Sequence, residues 1–126
     1  GGHEENARLA SVNCNHGPGT SRWFAIEAKY AVTVREYVRN TYGVDIYAVE
    51  GNWWPKHPEE LSERAGVPVL TGLQHAGDVV VLHGSTLHWV VCEKGPAVHS
   101  SWNFAAWDDA EQLRQTCDRA RVNEDL

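Results

Sequence analysis

Residues 67–93 read VPVLTGLQHAGDVVVLHGSTLHWVVCE, in which apolar runs alternate with short polar segments. The apolar runs are short and rich in Val and Leu, which is typical of β-strands. The segments HAGD and GST between them contain Gly, Asp and Ser, the residues that tight turns favour. This stretch therefore predicts consecutive antiparallel strands joined by tight turns, as in a β-sandwich or barrel.

The sequence on either side of this stretch adds further strands. Residues 8–15 (RLASVNCN) and 22–26 (RWFAI) have the pattern of strands, and the segment NHGPGTS between them is predicted to be a turn. Residues 97–107 (AVHSSWNFAAW) form another predicted strand, after a predicted turn at EKGP. These strands extend the predicted sheet in both directions along the chain.

Helices are predicted to cover the outside of this sheet. Residues 28–42 show amphipathic periodicity, and Gly43 follows at the position where helices often end. The segment HPEELSERAG predicts a second, short helix, and Asp108 with Glu111 can open a last helix that runs to about Arg121. The predicted fold class is therefore mainly β with helical decorations.

Composition bounds the function classes. The 126 residues suit one domain, and the net charge of −6 argues against a nucleic-acid-binding protein. No apolar run approaches the roughly 18 residues needed to cross a bilayer, so no membrane association is expected. Three cysteines without Cys-x-x-Cys spacing make an internal disulfide framework or a cysteine zinc site unlikely and favour a reducing compartment.

The beginning of the chain contains a His-x-Glu pair. In a strand, residues i and i+2 point to the same side, so His3 and Glu5 would share a face. Ser11 and Asn13 share that face as well if no bulge intervenes. Two imidazoles and one carboxylate form the facial triad of non-haem iron(II) oxygenases. His3 and Glu5 therefore predict two ligands of such a site, and a second histidine must come from a distant strand.

Several histidines could supply the missing ligand. His75 and His83 fall in predicted turns, whereas His88 falls inside the predicted strand TLHWVV among bulky neighbours. A ligand needs a rigid and dry setting, so His88 is the preferred candidate, with His99 as a remaining alternative. The histidines outside this choice, which are predicted to be exposed in loops, are His16 and His57.

Other residues that could line a pocket have a simpler structural interpretation. Tryptophan is bulky and mostly buried, so core packing is expected of Trp53, Trp54, Trp89 and Trp102. Cys14 and Cys92 fall in predicted strands and are expected to be small buried residues.

The order of motifs resembles the JmjC family of iron(II)- and 2-oxoglutarate-dependent dioxygenases, and within it the UTX-type demethylases of trimethylated lysine 27 of histone H3. The motifs that carry the resemblance are HEEN, SVNCNHGPG followed by RWF, GNWWP, VPVLTGLQHAGD, HGSTLHWV and SSWN. They occur in the family's order over roughly residues 1–103. The resemblance implies a double-stranded β-helix of the jelly-roll or cupin type, iron(II), 2-oxoglutarate and O₂ as cofactors and cosubstrates, and oxidative demethylation of a histone tail lysine.

The resemblance also implies roles for individual residues. The family's metal ligands fall on His3, Glu5 and His88, and its contacts to 2-oxoglutarate fall on Ser11 and Asn13. A methylated histone H3 tail peptide is the implied substrate, a chromatin complex could supply partner subunits, and the nucleus is the implied location. No direct nucleic-acid binding is expected.

The chain also departs from the family's pattern. The family has a lysine and a threonine before the His-x-Glu motif, which hold the far carboxylate of 2-oxoglutarate, and neither precedes His3 here. The family's demethylases also carry a cysteine-rich zinc module after this domain. Residues 1–126 are therefore predicted to form a partial JmjC domain, from the metal-binding strands to the C-terminal helix, with the first strands of the barrel missing. The 126-residue polypeptide alone is expected to have little or no turnover.

Two other functions remain open at this point. A JmjC hydroxylase could act on a protein side chain and stop at the alcohol. A catalytically inactive JmjC module could keep the fold and serve as a peptide-binding or scaffold domain.

Overall fold

The computed structural model describes residue 2 and residues 9–48 and 53–105, which form an antiparallel sheet with two α-helices against one of its faces. The elements are β1 (Ala10–Ile26), a 3-10 turn (Ala28–Tyr30), α1 (Ala31–Tyr42), α2 (Glu59–Ala65), β2 (Leu70–Gln74), β3 (Val79–Leu82) and β4 (Leu87–Phe104). This confirms the predicted class, mainly β with helical decorations, and agrees with a jelly-roll of the JmjC type. The helix predicted after Asp108 lies outside the described residues.

The long strand β1 is the centre of the sheet. Along one edge it pairs with β4 from Ala10 to Ile26, with register shifts in between. Along the other edge it pairs first with β3, over Ser11–Cys14, and then with β2, over Ser21–Ala25. Residues from both ends of β1 are thereby brought next to three other strands.

The prediction that NHGPGTS and EKGP form turns that reverse the chain was wrong. Both segments stay within their strands, β1 and β4, and pair with each other through bulges between Asn15 and Ser21. Gly and Pro suggested turns, but here Gly19 is needed for close packing. A Cβ at Gly19 would lie 2.5 Å from the carbonyl oxygen of Gly95, so two backbones cross where only glycine fits.

The buried Asn15 side chain fixes this bulged segment. Its Nδ2 donates to the carbonyl oxygens of Gly19 (2.9 Å) and Gln74 (3.1 Å), and its Oδ1 accepts from the amide of Gly17 (2.7 Å). Asn15 is fully buried, so these bonds also satisfy polar groups that water cannot reach. The predicted loop residue His16 lies in the same bulge, within β1, and its side chain is exposed as expected.

The two faces of the sheet differ in character because side chains alternate along β1 and β4. On the packed face, Ile26 lies opposite Leu87 and Phe24 lies opposite Trp89. These side chains meet the helices in an apolar core, whose buried members are Ile26, Val34, Val38, Leu61, Val67, Leu87 and Trp89. The other face carries Ser21, Trp23 and His88 and is called the polar face below.

The tryptophans and cysteines only partly follow the sequence expectations. Trp89 is buried and stacks on Trp54 at 4.7 Å between ring centroids, and Trp53 packs against the same core, as predicted. Trp102 was predicted to pack in the core but is 53% exposed, because it lies opposite Val12 on a part of the sheet that no described helix covers. Cys14 and Cys92 were expected to be buried, but Cys14 is only half-buried and Cys92 is exposed, with its thiol 2.6 Å from the carbonyl oxygen of Gly95.

The two helices were predicted correctly. Gly43 and Gly66 end them with φ of 69° and 66°, the left-handed conformation that glycine adopts without strain. Tyr37 and Tyr42 of α1 both donate to the Glu60 carboxylate of α2, which raises the pKa of Tyr42 to about 12. Among the helices of the described ranges, none is long and apolar enough to span a bilayer.

Candidate metal centre

His88 occupies the rigid position on the polar face that a metal ligand would need. It is 3% exposed and lies near the start of β4, opposite Ala25 of β1. Its Nδ1 is 3.0 Å from the carbonyl oxygen of Thr86, and because a carbonyl can only accept, Nδ1 carries the hydrogen. In the neutral ring the lone pair is therefore on Nε2, the arrangement typical of metal-bound histidines.

Trp23 packs against this histidine. The two rings stack with centroids 5.9 Å apart and an angle of 24° between their planes. Trp23 is 8% exposed, so its indole shields one side of the imidazole from water. Sequence reasoning did not assign Trp23 to the site, because its nearness to His88 depends on the register between β1 and β4.

Ser11 and Asn13 lie on the polar face, two residues apart on β1. They pair with consecutive same-face positions of β3, Leu82 and Val80, with no bulge between them. The Ser11 side chain is 6% exposed, and its hydroxyl has no hydrogen-bond partner among the residues that the structure describes. A buried hydroxyl of this kind is suited to donate to a bound ligand.

Gln74 connects Asn13 with Trp23. It is fully buried at the end of β2, and its Oε1 accepts from the indole Nε1 of Trp23 at 2.7 Å. Its Nε2 lies 3.1 Å from both the carbonyl oxygen and the Oδ1 of Asn13, and 3.2 Å from the carbonyl oxygen of Asp78. The sequence offered one sign of this role, a lone amide side chain at the end of an apolar run.

His99 also contacts Asn13. Its Nδ1 is 2.8 Å from the Oδ1 of Asn13, and its Nε2 is 3.0 Å from the hydroxyl of Ser21. His99 lies on the polar face, where it could have been the second histidine ligand. Both of its ring nitrogens are in hydrogen bonds with Asn13 and Ser21, so in this structure His99 is part of the hydrogen-bond network.

The other candidate ligands are either exposed or lie outside the described residues. His75 and His83 lie in turns and are exposed, as predicted, and His57 is exposed near α2. His3 and Glu5 lie outside the described residues, so their distance from His88 stays a prediction. Within residues 9–48 and 53–105, no three His, Cys, Asp or Glu side chains are grouped as a metal site.

The polar face thus places His88 beside a connected set of hydrogen-bonding side chains. One imidazole is held with its Nε2 as the basic nitrogen, and a buried hydroxyl and a carboxamide lie on the same face. Such a set can hold a divalent metal at one side and an anionic ligand at the other, provided that further ligands complete the metal sphere.

Comparison with known proteins bears on this site. The family model for the JmjC domain, hydroxylase, matches residues 1–104. The chain is 35% identical over 123 residues to Lysine-specific demethylase 6B of Homo sapiens, and the aligned region covers 98% of this chain and 7% of that protein. It is 34% identical over 101 residues to Lysine-specific demethylase jmjd-3.1 of Caenorhabditis elegans, and the aligned region covers 80% of this chain and 9% of that protein. The chain belongs to the JmjC domain family.

Proposed function

We propose that this domain takes part in iron(II)- and 2-oxoglutarate-dependent demethylation of a methylated lysine in a histone H3 tail, with lysine 27 as the preferred position. The family and the names of the two relatives support the reaction class. The observation that carries the proposal is the position of His88 on the same polar face as Ser11 and Asn13. The chain covers only 7% and 9% of the lengths of those relatives, so the activity of the whole protein belongs to this proposal.

The described residues fit the metal and the cosubstrate. His88 has its Nδ1–H on a backbone carbonyl and can offer Nε2 to iron(II), and His3 and Glu5 are the proposed companion ligands. The buried Ser11 hydroxyl and the Asn13 amide are suited to a carboxylate of 2-oxoglutarate, which only accepts hydrogen bonds. When bound, iron(II) with 2-oxoglutarate and O₂ supplies the oxidation of an N-methyl group, which is then released as formaldehyde.

The protein's own side chains would have three tasks in this reaction. His88 would bind iron(II) through Nε2 in a fixed direction, because its Nδ1–H is hydrogen-bonded to the carbonyl oxygen of Thr86. Trp23 keeps water from one side of that imidazole. Ser11 and Asn13 orient the cosubstrate. None of these tasks needs a general base from the protein.

Anaerobic titration of the full-length protein with iron(II) and 2-oxoglutarate tests the proposal. The wild-type protein should develop the weak visible charge-transfer band of the iron–2-oxoglutarate chelate, and His88→Ala should lose it. His83→Ala is the matched control, because His83 is an exposed turn histidine in the same segment and its variant should keep the band. A band of equal strength in His88→Ala would contradict the assignment of His88.

Mass spectrometry of methylated H3 peptides then separates the possible reactions. Loss of a methylene equivalent shows demethylation, whereas a stable gain of one oxygen shows a hydroxylase that stops at the alcohol. A peptide methylated at lysine 27 should react faster than one methylated at another lysine. Binding of the peptide without either change would indicate a peptide-binding module. Because the proposed substrate is a histone, we also propose that the protein acts in the nucleus.

A further inference from the structure

The hydrogen bonds around Gln74 determine which way the Asn13 carboxamide points. Nε2 of Gln74 lies near the backbone carbonyl oxygens of Asn13 (3.1 Å) and Asp78 (3.2 Å), which can only accept. Oε1 of Gln74 lies 2.7 Å from the indole nitrogen of Trp23, which can only donate. Both ends of the Gln74 amide are therefore fixed by groups with a single possible role.

The orientation of the Gln74 amide determines the orientation of the Asn13 amide, which in turn determines which ring nitrogen of His99 carries a hydrogen. Nε2 of Gln74 has two hydrogens and no lone pair, so the Asn13 atom 3.1 Å from it must be the oxygen Oδ1, which shares these hydrogens with the two carbonyl oxygens. His99 Nδ1, which is 2.8 Å from the same oxygen, must then carry a hydrogen. In neutral His99, Nε2 accepts from the Ser21 hydroxyl at 3.0 Å. Two donors thus hold Oδ1, and the Nδ2 group of Asn13 is left pointing away from both.

We propose that His99 is a positioning residue for the cosubstrate site, which acts through Asn13. This inference rests on the proposed function. A carboxamide held at its oxygen by Gln74 alone can still swing, and a half-turn would present its oxygen to the carboxylate that Asn13 should bind. The second donor from His99 opposes that turn. His99 thereby keeps the Nδ2 donor aimed at the anionic end of the ligand without contacting the ligand itself.

Two substitutions of His99 distinguish the hydrogen bond made by Nδ1 from the one made by Nε2. Asparagine carries its amide nitrogen near the place of Nδ1, so His99→Asn can still donate to Asn13. Glutamine reaches the place of Nε2, so His99→Gln keeps a partner for Ser21 and loses the donor to Asn13. The dissociation constant of 2-oxoglutarate, measured anaerobically in the iron-loaded full-length protein, should rise about fivefold in His99→Gln and stay within about twofold in His99→Asn. The dissociation constant of iron(II) without 2-oxoglutarate should not change in either.

A double-mutant cycle distinguishes positioning from direct contact. In an Asn13→Ala background, His99→Gln should have no further effect on the dissociation constant of 2-oxoglutarate, because the side chain through which it acts is gone. Additive effects would overturn the proposal, since they would mean that His99 contacts the ligand directly. Should His99→Gln fail to fold, His99→Ala provides the same comparison, because it also lacks the donor.

The failure of this inference can be told from the failure of the proposed function. If the wild-type protein does not bind 2-oxoglutarate in the presence of iron(II), the proposed function fails, and the role of His99 fails with it. If the wild-type protein binds and the Gln and Asn variants bind equally well, only the positioning role is overturned. Equal loss of thermal stability in both variants, without a difference in ligand affinity, would reduce His99 to a purely structural residue.

Discussion

Asn13 combines two roles in a single side chain: its oxygen belongs to the buried network and its nitrogen is the proposed ligand donor. Asn13→Asp separates these roles, since a carboxylate can still accept from Gln74 and His99 but offers no donor. We expect this variant to fold and to bind 2-oxoglutarate at least about tenfold more weakly, because a carboxylate would face a carboxylate. Isothermal titration with 2-oxoglutarate and a thermal melt of the same sample measure the two effects.

Asn13→Ala serves as the comparison for this prediction. It removes the acceptor as well, which leaves the partly buried Nδ1–H of His99 without this partner, whereas Nε2 of Gln74 keeps the carbonyl oxygens of Asn13 and Asp78. Asn13→Ala should therefore lower the melting temperature in addition to the ligand affinity. If Asn13→Asp melted as early as Asn13→Ala, the network would depend on the amide group itself, and the proposed separation of roles would not hold.

The same residues show how far the site could be predicted from sequence. Ser11 and Asn13 share a face by simple alternation along β1, and His88 was placed in a strand by its apolar neighbours. Gln74, His99 and Trp23 reach Asn13 and His88 through pairings between strands that lie up to 86 residues apart in sequence. Those contacts require the register of β1 with β2 and β4, which no local pattern contains.

At the scale of elements, periodicity and turn residues predicted most of the strands and both described helices. The errors are the two glycine-rich segments, where Asn15 and Gly19 keep β1 paired with β4 instead of reversing the chain. A glycine that permits a turn and a glycine that permits two backbones to touch are identical in sequence. Only the opposite strand, with Gly95 against Gly19, distinguishes them.

The end of α1 depends on one carboxylate. Asp45 accepts from Arg35 at 2.9 and 2.6 Å, from Arg39 at 2.6 Å, and from the amide of Tyr47 at 3.1 Å. The hydrogen bonds of Arg35 hold the pKa of Asp45 well below its usual value of 3.8. Since the folded pKa is lowered, this stabilisation is fully present above the unfolded pKa and is lost as the pH falls through the folded value.

Substitution of Asp45 should therefore change both stability and its pH dependence. We expect Asp45→Asn to lose about 1 kcal/mol of unfolding free energy at neutral pH, since the pair is partly exposed to solvent. The difference from wild type should shrink as the pH is lowered below about 4, which urea denaturation at several pH values can follow. Glu36→Gln on α1 makes the same change of charge at an exposed position and should have little effect. A constant difference at all pH values would mean that the carboxylate charge is not the cause.

At the scale of the whole molecule, Ile26 is the point where the sheet meets the helices. It is fully buried, lies at the end of β1 opposite Leu87, and belongs to the core that includes Val34 and Val38 of α1 and Leu61 of α2. The site lies on the opposite face of the same strands, so its geometry depends on this core holding β1 and β4 in place. We expect Ile26→Ala to cost about 3 kcal/mol of unfolding free energy and to lower the melting temperature by on the order of 10 °C.

The expected cause is a cavity between two layers, so helices and sheet should lose stability together. Far-ultraviolet circular dichroism reports the helices most strongly, and tryptophan fluorescence sums all six tryptophans, among them Trp54 and Trp89, which stack where the helices meet the sheet. Both midpoints should move by the same amount in Ile26→Ala, by about a third as much in Ile26→Val, and hardly at all in Val32→Ala, whose side chain is 67% exposed on α1. If the fluorescence midpoint moved and the helical signal did not, the helices and the sheet would be independent units. The helical layer would then not be what keeps the strands of the polar face in register.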